Sequence, residues 1–219
     1  MAILEVYKLG LTEYDIALKL QEEIQEKRIE GKICDTLLLL EHPPTLTLAK
    51  GGDKEDILVS QEFLEEKRVA VRFTDRGGNI TFHGPGQIVG YPIIDLNRIN
   101  RDIHEYIIRL ESVLINVLKD FLINANLDPE HVGVWTGNEK IAAIGVKVKK
   151  WVTKHGFALN VNNDLSFFEL INPCGIKDKG VTSMEKILKR QVPMPLITDA
   201  LIEKFEKIFK MDARIIKEN

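Results

Sequence analysis

Cysteine is scarce: 219 residues contain two, Cys34 and Cys174, far apart in the chain. Such a pair makes neither a disulfide framework nor a CxxC metal knuckle, and it points to a reducing compartment. Long apolar runs are missing too. The longest are a few residues, against the roughly 18 that span a bilayer. The opening MAILEVYKLGLTEYD meets acidic residues too early for a secretory h-region. Nor is positive charge in excess. Thirty Lys and Arg against 33 Asp and Glu leave −3, which does not suit a globally basic nucleic-acid binder. The expectation is a cytoplasmic protein with no membrane and no nucleic-acid partner.

Common site motifs are absent as well. No GxxxxGK[ST] occurs, and Gly84, Gly86 and Gly90 are spaced one residue too wide for the dinucleotide fingerprint. There is no HExxH, and His42, His83, His104, His131 and His155 lack metal-ligand spacing. No G-x-S-x-G elbow is found. NAD, zinc and serine-hydrolase chemistry therefore have no local support, and neither a metal nor a cofactor is expected.

What is present is ordinary globular composition, 44% hydrophobic and 29% charged, without a linker, composition break or repeat. One domain over residues 1–219 is expected. Thr12-Glu13-Tyr14-Asp15 reads as a capping-box variant, with Leu11 and Ile16 as its hydrophobic staple, opening a helix that stops near Gly31. Residues 101–124 carry an apolar stripe at helical spacing, from Ile103 through Tyr106, Leu110, Leu114 and Val117 to Phe121. A third helix is read over 195–210, and a short one after a Thr182–Glu185 capping box. Strands are read at 35–40, 45–50, 69–73, 79–82 and 88–94, then as a lysine-rich pair over 140–161 fed by a turn at Gly137-Asn138. Strands in runs, not alternating with helices, indicate an α+β fold with a mixed or antiparallel sheet.

Three places carry candidate chemistry. RGGNITFHGPGQ, residues 76–87, is backbone that either turns tightly as an ornate hairpin or lets a ligand approach. Cys34, beside its apolar run, reads as a small buried hydrophobe. Cys174 lies between Pro173 and Gly175 on a loop, where a thiol can meet a substrate if a partner lowers its pKa of about 8.5. Lys140 is a candidate partner. On an unbroken strand it shares the apolar face of Ala142, Ile144, Val146 and Val148, where burial lowers a lysine's pKa. The alternative is a lysine snorkelling out at a strand end. Lys147 and Lys149 take the opposite face. With Lys140, Lys150 and Lys154 they form a basic stretch free of Asp and Glu from residue 140 to 163.

Taken together, RGGNITFHGPGQIVGYPIIDL, KIAAIGVKVKKWVTKHGFALNV and NPCGI closely resemble the lipoyl(octanoyl) transferases. The blocks stand in the family's order across residues 35–185; EHPPTLTLAK departs from it, with Ala49 where Gly is usual. The resemblance implies an α+β domain like the catalytic domains of biotin- and lipoate-protein ligases. It implies that Cys174 is the acyl-thioester nucleophile and Lys140 its proton-shuttling partner. Arg76, Gly77, Gly78, Asn79, Ile80, Thr81, Phe82 and His83 would line the acyl substrate. So would Ala143, Ile144 and Gly145, and Gly156, Phe157 and Ala158. Small residues among these would leave a slot for an eight-carbon chain.

The implied donor is octanoyl-acyl carrier protein, whose acidity would suit the basic stretch. The implied acceptors are lipoyl domains of 2-oxoacid dehydrogenase complexes and the glycine cleavage H protein. Two rival readings are an ATP-dependent lipoate-protein ligase on the same fold and a non-catalytic module that binds acyl carrier protein or lipoyl domains.

Overall fold

The computed structural model of the chain describes residues 2–172 and 179–216, and Cys174 lies outside them. Element order is β1 (Ala2–Leu11), α1 (Tyr14–Ile29), β2 (Asp35–Glu41), β3 (Thr45–Leu48), α2 (Gln61–Glu66), β4 (Ala70–Phe73), β5 (Ile80–His83) and β6 (Gln87–Ile93). Then come α3 (Ile103–Asp120), β7 (Asn126–Leu127), β8 (Val134–Thr136), β9 (Glu139–Lys149), β10 (Val152–Asn160), β11 (Gly180–Val181), α4 (Met184–Leu188), α5 (Met194–Phe209) and β12 (Met211–Ile216). The main sheet runs β12-β1-β2-β6-β10-β9-β8-β7, with β11 beside β9. It is mixed: β1 is parallel to both neighbours, the path from β2 to β7 is antiparallel, and β11 is parallel to β9. A second sheet, β4-β3-β5, lies apart from it. The fold is α+β, as the clustering of strands implied.

Both faces of the main sheet are covered, which explains the unbroken apolar run of β2. Leu37 and Leu39 join Ile88, Leu159 and the stripes of α3 and α5 in the larger core. Leu38 and Leu40 turn the other way, with Val89, Ile93, Ala158 and residues of α1. The apolar arc of α3 buries Tyr106, Leu110, Val113, Leu114, Val117 and Leu118.

Three local expectations are corrected. The Thr12 capping box does not form: Thr12 Oγ1 donates to Leu9 O, and α1 starts after Glu13 with no side-chain cap. Its staple residues Leu11 and Ile16 are 63% and 62% exposed, because Leu11 ends β1. The cap of α4 falls one residue later than expected, on Ser183, whose Oγ accepts from Lys186 N. Strand β1 has no counterpart among the strands read from sequence. It alternates modestly, with Leu4 and Val6 buried, and becomes a strand by pairing with β2 and β12.

Candidate active site

A cleft of about 370 Å³ opens between β9, β10, the 76–81 loop and the segment before β8. The β9–β10 register builds one wall, with Ala143 opposite Ala158 and Gly145 opposite Gly156.

 Arg76 reaches the wall with its guanidinium turned toward β3 and its own loop: Nη2 donates to Thr47 O (2.7 Å) and Oγ1 (2.9 Å), and Nη1 to Gly77 O. Arg76, Gly77, Gly78, Asn79, Ile80, Thr81 and His83 therefore face Ala143, Ile144, Gly145, Gly156, Phe157 and Ala158 across one cavity. Phe82 does not line it. It is 1% exposed and stacks on Phe167 (4.8 Å between centroids) in the core beneath the small sheet, because alternation along β5 turns it away from His83.

Glycine is needed where β9 carries the 76–79 loop. A Cβ on Gly145 would lie 2.8 Å from Gly77 O and 3.2 Å from Arg76 Cδ. The loop can lie on the strand only because that atom is missing.

The cavity floor is a ring cluster. His42 and His83 centroids are 5.6 Å apart, Tyr14 lies 5.2 Å from His42, and Tyr91 lies 6.4 Å from His155. Burial dominates their titration. It pushes His83 down to about 3, helped by nearby His42, and His42 down to about 4. His155 falls to about 4, although its hydrogen bond to Asp75 opposes burial. Burial likewise raises Tyr14 and Tyr91. The floor is thus neutral at pH 7.

Hydrogen bonds assign the His83 tautomer. Gln87 Nε2 donates to Phe82 O and Asn160 Oδ1, leaving Oε1 to accept from His83 Nδ1 at 2.8 Å. Asn160 Nδ2 in turn donates to Thr182 O. Gln87 and Asn160 escaped the sequence reading, and so did their task, tying the glycine-rich loop to the chain that follows residue 178. Their signal is a polar residue at the end of an apolar run, Gln87 before Ile88 and Val89 and Asn160 after Phe157, Ala158 and Leu159.

Lys140 stands at the other end of the cleft, but not on the face expected. β8 pairs Val134 with Ala142 and Trp135 with Lys140, so Ile141 is an extra residue in β9. Such a bulge puts Ile141 and Ala142 on the same side, and both are buried in the larger core. Lys140 is thereby turned to the cleft with Ala143 and is half-buried. Its Nζ donates to Val132 O (3.3 Å) and lies 4.7 Å from the Trp135 ring centroid. Gly133, at φ +129, makes room: a Cβ there would lie 3.4 Å from Lys140 Cε and 2.7 Å from Ala142 O. Glu111 holds that turn by accepting from Gly133 N at 3.0 Å. It is a buried glutamate on the apolar arc of α3, one turn from Ile107 and Leu114. That misplaced charge was its signal.

The segment that bears Cys174 is flanked by anchored backbone. Asn172 N donates to Asp56 O before it. After it, β11 pairs Val181 with Lys140, and Thr182 N donates to Lys140 O. Cys34, the other thiol, is free and half-buried, far along the chain from this site. The basic stretch is neutralised in part. Lys149 pairs with Glu26, and Lys154 with Glu22 (3.0 Å) and Asp75 (3.2 Å). No group of His, Cys, Asp and Glu able to hold a metal occurs among the described residues, and none of their helices is long and apolar enough to cross a membrane.

A mixed sheet covered on both faces, with a glycine-rich loop over a cleft, defines a class shared with the protein ligases of lipoate and biotin. A lipoate-protein ligase A bound with ATP superposes with a TM-score of 0.79 at 15% identity, over 98% of this chain and 89% of that one. The biotin protein ligase of Aquifex aeolicus gives 0.53 at 12% identity, over 96% and 70%. At such identities the likeness is one of fold alone. The model of the lipoyl protein ligase A/B catalytic domain matches residues 13–206, and the chain belongs to this family. It is 49% identical to an octanoyltransferase of Caldicellulosiruptor bescii, over 97% of this chain and 94% of that protein. It is 46% identical to one of Desulforamulus reducens, over the same shares.

Proposed function

We propose that this chain transfers an octanoyl group from acyl carrier protein to a lysine of lipoyl domains, those of 2-oxoacid dehydrogenase complexes and the glycine cleavage H protein. The full-length likeness to octanoyltransferases carries the reading. The ligase alternative has less behind it, since the solved ligases share the fold at 15% identity or so. A cavity of about 370 Å³, largely apolar along Ile80, Val89, Ile144 and Phe157, is of a size that suits a short acyl chain.

In this reading Cys174 gives its thiol proton to the neutral amine of Lys140, and the thiolate attacks the donor thioester. The carbon–sulfur bond to pantetheine breaks, and the leaving thiolate takes the proton back from Lys140. A free amine of the acceptor lysine then attacks the enzyme thioester. The new carbon–nitrogen bond replaces the bond to Cys174, and Lys140 carries a proton from that nitrogen to the departing Cys174 thiolate. One thioester becomes another and then an amide, so the sequence needs neither ATP nor a cofactor.

Intact mass after exposure to octanoyl-acyl carrier protein tests this. The expected result is a gain of one octanoyl group, sensitive to hydroxylamine, on Cys174 and not on Cys34. Transfer should cease in Cys174→Ala. An active Cys174→Ala enzyme, or one that requires ATP and free octanoate, would overturn the proposal.

A further inference from the structure

A lysine side chain is long and flexible, and using it as a proton carrier requires that its amine be held at one point. Among the described residues Val132 O accepts from the Lys140 amine. An aromatic face also meets it. Trp135 is 3% exposed, and its Nε1 donates to His131 O at 3.1 Å, so the indole is fixed on two sides, by burial and by a hydrogen bond. The Lys140 ammonium lies 4.7 Å from the ring centroid, within the roughly 6 Å over which a ring quadrupole attracts a cation. The bulge at Ile141 sets this up, since it brings Trp135 opposite Lys140 in the β8–β9 ladder.

We infer that Trp135 is a positioning residue: its indole seats the proton-loaded form of Lys140. The inference rests on the octanoyl-transfer reading and adds to it the residue that holds the shuttle. When Lys140 takes a proton it gains the attraction of the ring; when it gives the proton up, that attraction is released. A second amine meets the same ring. Lys179 Nζ also lies 4.7 Å from the Trp135 centroid, with Asp128 as its ion partner. Lys179 is ion-paired with that carboxylate and is not the proton carrier of the octanoyl-transfer reading, so the ring acts on transfer through Lys140.

Fluorinated tryptophans test this with almost no change of shape. In a Trp151→Phe background Trp135 is the remaining tryptophan of the chain's two, and mono-, di- and tetrafluoro-indoles can be incorporated there. Each fluorine weakens the quadrupole, while it makes Nε1–H a stronger donor to His131 O. A purely structural role through that hydrogen bond therefore predicts no loss. The expected result is a stepwise fall in kcat, reaching about 5–30-fold for the tetrafluoro ring, with KM for octanoyl-acyl carrier protein unchanged. The fall should persist in Lys179→Met.

A flat series in an enzyme that transfers octanoyl overturns the inference, and so does a trend that vanishes in Lys179→Met. An unsubstituted enzyme that transfers nothing rejects the functional reading instead. The seat is then still decided by the Lys140 Hε resonances. They should be shifted upfield by the ring and return to ordinary lysine positions in Trp135→Leu. Ordinary positions in the parent protein would overturn the seat whatever the activity.

Discussion

Gly156→Ala should cost the protein stability as well as the cleft its shape. The added Cβ would lie 2.2 Å from Gly90 O and 2.5 Å from Pro92 Cδ. Both atoms belong to β6, which is hydrogen-bonded to β10 on one side and β2 on the other. The contact is short of ordinary separation by about 1 Å, and a central strand cannot retreat that far without disturbing two ladders. Overpacking of this kind costs about 1–3 kcal/mol, which for a chain of this size lowers Tm by about 2–12 °C.

Gly77→Ala is the control. Gly77 lines the same cleft, but its Cβ would meet only Val146 O, at 3.6 Å, an ordinary contact. Urea unfolding of both variants, read as a shift in midpoint at constant slope, measures the difference. Gly77→Ala should stay within about 0.5 kcal/mol of the parent. Equal stability of all three proteins would refute the close approach of β6 and β10 at Gly156.

Three further outcomes are expected. Asp35→Ala removes the carboxylate 2.6 Å from the Nε of buried Arg28 and leaves it Asp95 (3.1 Å), and should cost about 1.5–3 kcal/mol in urea unfolding; a loss below about 1 kcal/mol would contradict the burial of the pair. Burial holds His42 at about 4 when folded, against about 6.5 unfolded. The unfolded chain thus binds the extra proton between these values, and stability falls as pH drops from about 6.5 toward 4, by up to about 1.4 kcal/mol per unit, the contribution being complete above pH 7. His42→Gln should remove that share of the slope, and an unchanged slope would show that His42 titrates normally. Lys147 has no ion pair among the described residues, whereas Lys149 is bound to Glu26. Lys147→Glu should therefore lower kcat/KM for octanoyl-acyl carrier protein at low salt, and Lys149→Ala should scarcely change it; the reverse order would mean that the donor docks elsewhere.

Much of this was readable along the chain. The stripe from Tyr106 to Leu118 declares α3, because a helix buries residues at a period set by its own backbone. The run from Leu37 to Leu40 declares a strand covered on both faces. The blocks around Arg76, Lys140 and Cys174 carry the family likeness, since each is a short run of residues whose order is plain along the chain. β1 was lost because its alternation is weak and its partners, β2 and β12, stand far from it in sequence.

Tertiary structure decided the rest. Counting alternate residues puts Lys140 with Ala142 in the core, but the offset of β8 against β9 inserts Ile141 and turns the amine into the cleft. A lysine-rich strand reads as a basic surface until Glu22 and Glu26 of α1, more than a hundred residues away, come to lie beside it. Phe82, inside the most telling motif, is drawn into the core by Phe167 and Phe168. In each case the residue type was plain from the sequence. Its facing depended on a neighbour brought in by folding, and no local periodicity encodes that neighbour.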